Sequence, residues 1–281
     1  MDNNMNYGSD YKYIPATSIL SGEGIEVLLD LYMHTIQIVN IVLYGEPYQS
    51  EFILIDAGMP NSANEIISVA EKRFGSNCRP KAIILTHGHF DHVGAIIELI
   101  EHWDVPIYAH LSELPYLTGL KNYPKPDPTV DGGFIAKMSS YFPNEAINLG
   151  SNIKELPLNG TVPFMKGFRW IHTPGHTPGH ISLYRDDDGT LIVGDAFITV
   201  KQESLYKVLT QKKEISGPPR YFTTDWLAAW ESVKKLEALK PKVAIPGHGY
   251  PMNGVELTSN LKKLVNEFEK IALPNHGKYL N

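Results

Sequence analysis

The chain has 281 residues, 43% of them hydrophobic and 20% charged, with a formal net charge of −6. That length can bury a sizeable core, and the interspersed charges argue against a nucleic-acid partner, which calls for a basic face. The single cysteine, Cys78, excludes an internal disulfide and a Cys-rich metal cluster, and its place after Gly75 and Ser76 in a loop reads as an inert thiol.

Residues 1–20 read as a loosely structured arm, without the basic and apolar segments of a signal peptide. β-rich stretches follow at Ile25–Met33, Ile36–Tyr44 and Glu51–Ile55, the last two parted by the turn-prone Gly45-Glu46-Pro47. After Asp56-Ala57-Gly58, apolar spacing predicts a helix over Ser62–Phe74. Lys81–Leu85 is a short apolar strand leading into His87, and Val93, Ile96, Ile97 and Ile100 mark the next helix. Val105–Ala109 is another strand, so strands and helices alternate with strands that are continuous apolar runs.

Residues 114–145 are rich in Pro, Tyr and Gly and read as a functional loop or a Pro-stiffened excursion. The second half opens with β-rich pieces at Ile153–Leu156, Thr161–Met165, Phe168–His172, Ile181–Arg185 and Leu191–Val193. Asp186-Asp187-Asp188-Gly189 is a solvated hairpin turn. A helix over Asp225–Leu239, with Thr223 and Thr224 as candidate N-caps, ends before Pro241, a strand runs over Lys242–Ile245, and a last helix covers Val255–Ala272. The order fits an α/β sandwich of two mixed β-sheets with helices on the outer faces. Every apolar run falls short of the ~20 residues of a membrane span, so a cytoplasmic location and no membrane partner are expected.

The chemistry sits in His87-x-His89-x-Asp91-His92, four potential ligands just after a buried strand. Imidazole nitrogens and carboxylate oxygens suit a divalent cation. Residues two apart in an extended segment point the same way, so His87 and His89 can share one ion, while Asp91 and His92 swing toward a second. Gly88 is expected to permit a sharp chain path. Downstream, His176, Asp195 and His248 each follow a predicted strand and are flanked by Gly or Pro. A carboxylate such as Asp195 can bridge two cations about 3.5–4 Å apart and relieve their repulsion.

The ordered motifs LIDAG (54–58), THGHFDH (86–92), TPGHTPGH (173–180), GDA (194–196) and PGHG (246–249) resemble the metallo-β-lactamase-fold superfamily, in its glyoxalase II and lactonase-like branch. The resemblance implies one domain over residues 1–281 with the four-layer αββα fold, and active-site loops at 114–145 and 198–224. It implies that His87, His89 and His176 hold one metal, that Asp91, His92 and His248 hold the other, and that Asp195 bridges them. Zinc is the expected ion, with Mn2+, Fe2+ and Co2+ also compatible with these donors. Asp56 is expected to orient ligands through hydrogen bonds. His180 is expected to make local hydrogen bonds and His172 to be structural, and His34, His102, His110 and His276 lie outside every motif.

The implied reaction is hydrolysis of a small ester, lactone or thioester by a metal-bound hydroxide, with Asp91 passing a proton to the leaving group. Alternatives within the family are a β-lactamase, a phosphodiesterase and a mononuclear-iron persulfide dioxygenase. Asp195 and the lack of a cysteine ligand speak against the first, and seven ligands against the last. About one helix follows Gly249, which argues against a glutathione thioester, and Ile198 stands where related lactonases carry a Tyr, leaving Tyr206 or Tyr221 to enter from the 200–224 segment. Tyr116, Tyr123, Tyr141, Phe142, Phe197, Tyr221 and Phe222 point to an apolar acyl or ring group in a small-molecule substrate.

Overall fold

The computed structural model describes residues 5–131 and 133–280. The chain forms two compact units. One takes in the described residues up to Ala16, Leu20–Tyr123 and Pro143–Lys166, and the other takes in Thr17–Ile19, Pro124–Phe142 and the described chain from Gly167 onward.

The first unit carries β1 (Gly24–Leu28), β2 (Leu31–Ile36), β3 (Val39–Tyr44), β4 (Glu51–Ile55), α1 (Ala63–Phe74), β5 (Arg79–Ile84), α2 (Ile96–Trp103), β6 (Ile107–Ala109), the short α3 (Leu114–Leu117) and β7 (Ile153–Glu155). Its strands follow one another in spatial order from β1 to β7, antiparallel as far as β4 and parallel from β4 to β7. Parallel neighbours need a crossover, and α1 and α2 supply it. Helix α1 turns Ile66, Val69, Ala70 and Phe74 inward and ends at Gly75, whose φ of 99° an L side chain rarely adopts. These residues join Leu54, Ile83, Ile96 and Trp103 in one core cluster.

The predicted strands Ile25–Met33 and Ile36–Tyr44 each run across a turn. The chain reverses at Leu29-Asp30 and again at Gln37-Ile38, where Gln37 has φ 59°. Neither turn contains Gly or Pro, which is why the breaks were not legible. Of the predicted arm, residues 1–4 lie outside the described residues. The rest is docked: Asn6 pairs with Asn148, and the Tyr11 hydroxyl donates to the Gly94 carbonyl at 2.5 Å.

The second unit carries α4 (Phe134–Met138), β8 (Phe168–His172), β9 (Ile181–Arg185), β10 (Thr190–Gly194), α5 (Leu205–Thr210), α6 (Trp226–Ala238), β11 (Val243–Pro246), β12 (Met252–Asn253), α7 (Gly254–Asn266) and α8 (Phe268–Ile271). The spatial order is β12-β11-β10-β9-β8, with β10 and β11 parallel and the other neighbours antiparallel. Both sheets are therefore mixed, as expected. Trp226, Val233, Leu236, Leu257, Leu261 and Phe268 close the core of this unit.

Three local expectations change here. Thr161–Met165 forms a turn instead of a strand, because Pro163 has no N–H for a ladder and Phe164 takes φ 62°. Asp225, instead of Thr223 or Thr224, caps α6 by accepting from the Ala228 amide at 2.9 Å. The last predicted helix is interrupted at Glu267, between α7 and α8. Among the described residues no helix is long and apolar enough to cross a membrane.

Candidate metal centre

In the first unit, β4 and β5 are parallel with Ile55 opposite Ile84, so their C-terminal ends lie side by side. That edge carries Asp56 and the segment from Thr86 to His92, as expected for functional loops of parallel sheets. His87, His89, Asp91 and His92 are all buried. The His87 ring lies 4.8 Å from that of His89 and 4.1 Å from that of His92. Ligand atoms of His87 and His89, of His87 and His92, and of Asp91 and His92 lie within 4.8 Å of each other.

Asp56 sits behind this group with φ 61°. Its Oδ1 accepts the Thr86 amide at 2.8 Å, and its Oδ2 accepts the Thr86 hydroxyl and meets His92 Nδ1, each at 2.8 Å. A carboxylate accepts, so His92 carries its proton on Nδ1. The Thr86 hydroxyl proton is committed to Asp56. Its oxygen therefore accepts from His87 Nδ1 at 3.1 Å. One buried carboxylate thus sets the tautomer of two imidazoles and leaves Nε2 of each as the unprotonated nitrogen.

The other side of the segment is clamped as well. The Gly88 amide donates to Glu113 Oε2 and to the Tyr123 hydroxyl, both at 3.1 Å, and Tyr123 donates to Glu113. Burial first, then the Glu113 charge, pushes the Tyr123 phenol well above its ordinary value of 10, so it stays a donor. Gly88 is required by close approach: a Cβ there would lie 2.6 Å from the Tyr123 hydroxyl and 2.9 Å from Leu117. A left-handed backbone is not the reason, since Gly88 is not among the positive-φ glycines. Glu113 and Tyr123 were not singled out as ligand supports in the sequence, since nothing local ties positions 113 and 123 to position 88.

In the second unit the C-terminal ends of β8, β10 and β11 share one edge, because β10 is parallel to β11 and β8 is two antiparallel steps from β10. His176, Asp195 and His248 follow those three strands. His176 Nε2 and His248 Nε2 lie 3.5 and 3.3 Å from the same Asp195 oxygen, Oδ2, and all three residues are buried. Thr223 donates its hydroxyl to the Pro219 carbonyl at 2.8 Å, so it accepts from His176 Nδ1 at 3.2 Å. His180 Nε2 accepts the Asp195 amide at 2.8 Å, and its Nδ1 proton passes to Thr173 at 2.8 Å, in line with the expected local role. His172 bonds the Pro178 carbonyl at 2.9 Å.

Outside these groups, His34 pairs with Glu65 at 2.9 Å. Burial, then Glu71, pushes the Cys78 thiol up, away from reactive thiolate character. The aromatic residues divide. Tyr116 and Tyr123 stack behind Gly88, Phe197 is core, and Tyr141 and Tyr206 are exposed. Phe142, Tyr221 and Phe222 form a cluster with Phe222 6.5 Å from the His176 ring.

The donor set suits divalent cations. It consists of buried imidazoles, three of which, His87, His92 and His176, have Nδ1 engaged by a neighbour, together with the buried carboxylates of Asp91 and Asp195.

Comparison with known proteins agrees with this chemistry. Residues 34–248 match the model of the metallo-beta-lactamase superfamily. The chain is 51% identical over 245 residues to the probable metallo-hydrolase YflN of Bacillus subtilis (strain 168), covering 86% of this chain and 92% of that one. It is 30% identical over 115 residues to the hydroxyacylglutathione hydrolase GloC of Haemophilus influenzae, covering 41% of this chain and 49% of that one. The crystal structure of the BLEG-1 B3 metallo-beta-lactamase superposes with a TM-score of 0.53 at 23% identity, covering 79% of this chain and 92% of that chain, which shows the shared fold.

Proposed function

The chain belongs to the metallo-β-lactamase superfamily of metal-dependent hydrolases, and from that premise we propose that it cleaves a small ester, lactone or thioester with a pair of divalent cations, zinc first among them. In this reading His87, His89 and His176 would hold one cation, Asp91, His92 and His248 would hold the other, and Asp195 would be shared between them. The observation that carries it is the approach of two imidazoles to one oxygen: His176 Nε2 at 3.5 Å and His248 Nε2 at 3.3 Å from Asp195 Oδ2. Two ligands assigned to different ions meet at the group that would join them.

When bound, the cations make a water acidic near neutral pH and polarise a substrate carbonyl. The remaining work falls to the chain. Asp56 and Thr86 hold His92 and His87 in the ligating tautomer, Thr223 does so for His176, and His180 fixes the backbone at Asp195. Asp91, buried beside His92, passes a proton to the leaving group. Phe142, Tyr221 and Phe222 form an apolar wall on the His176 side that suits an acyl chain or ring. Thioesters head the assay order, with the partial likeness to a hydroxyacylglutathione hydrolase in support.

The test is metal analysis of purified protein followed by a panel of thioesters, lactones, esters, β-lactams and phosphodiesters. Two equivalents of zinc and turnover of a carboxylic ester, lactone or thioester are expected. Turnover of the phosphodiester alone, or one iron with oxygen uptake, would replace the reading.

A further inference from the structure

Between the two ligand candidates His87 and His89 lies one residue, Gly88, and its amide is held by a carboxylate that is fully buried. Glu113 has 0% exposure. Its Oε2 receives the Gly88 amide at 3.1 Å and the Tyr123 hydroxyl, while the same amide also reaches the Tyr123 oxygen at 3.1 Å. Tyr123 lies with its ring 4.7 Å from the His89 ring and is itself stacked on Tyr116 at 4.1 Å. All of these groups belong to the first unit.

Burying a carboxylate is costly unless hydrogen bonds and positive charge offset the loss of water. Tyr123 and Gly88 offset part of that cost with hydrogen bonds at Oε2, and a cation on His87 and His89, one peptide away, would add positive charge beside it. The arrangement also fixes the peptide that sets the angle between the two imidazoles, whose rings are 4.8 Å apart and nearly perpendicular at 87°. A fixed peptide removes the reorganisation that binding an ion otherwise demands of the ligands.

We propose that Glu113 and Tyr123 are a positioning pair for the cation held by His87 and His89, raising its affinity through a clamped Gly88 peptide and a buried negative charge. This rests on the dinuclear reading above and adds residues that the metal motifs do not contain. Both residues act through the Gly88 peptide and are positioning residues, not ligands, in this proposal.

The test measures metal binding as well as activity. Zinc affinity is read by chelator competition, and the visible spectrum of the cobalt-substituted protein reports ligand geometry. Tyr123→Phe keeps the ring and its stacking and removes one hydroxyl. Glu113→Gln keeps the shape and removes the charge. Each variant is expected to bind one of its two ions 10–100-fold more weakly, with an altered cobalt spectrum and with the other ion unaffected. Should Glu113→Gln fail to fold, Tyr123→Phe carries the measurement. Unchanged affinity and spectrum in Tyr123→Phe, with only a lower melting temperature, would show a packing role and overturn the proposal. Wild-type protein that binds no metal overturns the dinuclear reading itself and this proposal with it, so the two failures are told apart by the wild-type control.

Discussion

Replacing Asp56 by Asn tests the tautomer control directly. Asn tolerates the left-handed backbone that position 56 adopts, at φ 61°, so the variant isolates the loss of the carboxylate. The amide has two orientations, and each leaves a donor facing a donor. With NH2 at the Oδ1 position, the Thr86 amide loses the acceptor it has at 2.8 Å. With NH2 at the Oδ2 position, it donates to Thr86 Oγ1 and to His92 Nδ1, both of which now meet that oxygen at 2.8 Å. His92 then moves its proton to Nε2, and Thr86 turns its own proton toward His87 Nδ1 and drives the same change there. The first orientation leaves a buried N–H without an acceptor, a cost of about 1–3 kcal/mol. The second costs two ligands their lone pairs.

The protein takes the cheaper arrangement in each state. Apoprotein takes the second orientation, whose rearranged protons leave no orphaned N–H, so its stability, read by chemical denaturation, is expected to fall by less than about 1 kcal/mol, and the orphaned Thr86 amide is a cost of the metal-bound state alone. Zinc affinity, read by chelator competition, is expected to fall by about 10–100-fold, or roughly 1.4–2.8 kcal/mol. An Asp56→Asn protein with two tightly held ions would refute the assignment of Asp56 as the group that sets both tautomers.

Three further outcomes are expected. Asp195→Ala removes the oxygen shared by His176 and His248 and should lower bound metal, measured by elemental analysis, together with most turnover; two retained ions at near-normal rate would contradict the bridge. Thr223→Val should weaken zinc binding by about 10-fold or more with little change in helix content, whereas Asp225→Ala should cost about 0.5–2 kcal/mol of stability and leave zinc affinity unchanged, because the cap and the His176 partner are different residues. Asp131 is desolvated by burial, yet the Asn275 amide and the Arg220 guanidinium outweigh this and hold it below its ordinary value near 3.8. A depressed native value means stability that is present above the unfolded value and lost as pH falls through the folded one, so acid unfolding below about pH 4 should be shallower in Asp131→Asn than in the wild type.

The elements that position the site were legible for physical reasons. Glu51–Ile55 and Phe168–His172 match β4 and β8, because buried strands must be continuous apolar runs, and Ser62–Phe74 matches α1 because its inward face repeats at helical spacing. The failures fell where local chemistry is ambiguous. Gln37 takes positive φ without a usual turn residue, so the hairpin at Gln37-Ile38 had no signal, whereas the turn after Val162 carried one in Pro163 that the apolar pattern around it masked. The arm up to Ala16 looked loose from its polarity, but Tyr7 and Tyr11 stack at 3.8 Å and bond to Glu98 and Gly94, partners far along the chain.

The same division runs through the site. Donor identity is a property of residue type and spacing, so His87, His89, Asp91, His92, His176, Asp195 and His248 stand out in the sequence. Donor orientation is a tertiary property. Thr223 has the residue type of a helix cap and lies two residues before Asp225, the residue that caps α6, yet its hydroxyl is directed by the Pro219 carbonyl toward His176, 47 positions away. Thr86 follows the same rule, with its hydroxyl proton committed to Asp56 before it meets His87. A hydroxyl alone can face an imidazole either way round and selects no tautomer. It selects one only when a third group has already taken its proton. His87 and His176 therefore each rely on an acceptor behind the acceptor, Asp56 and the Pro219 carbonyl, and that third group is what the linear pattern does not display.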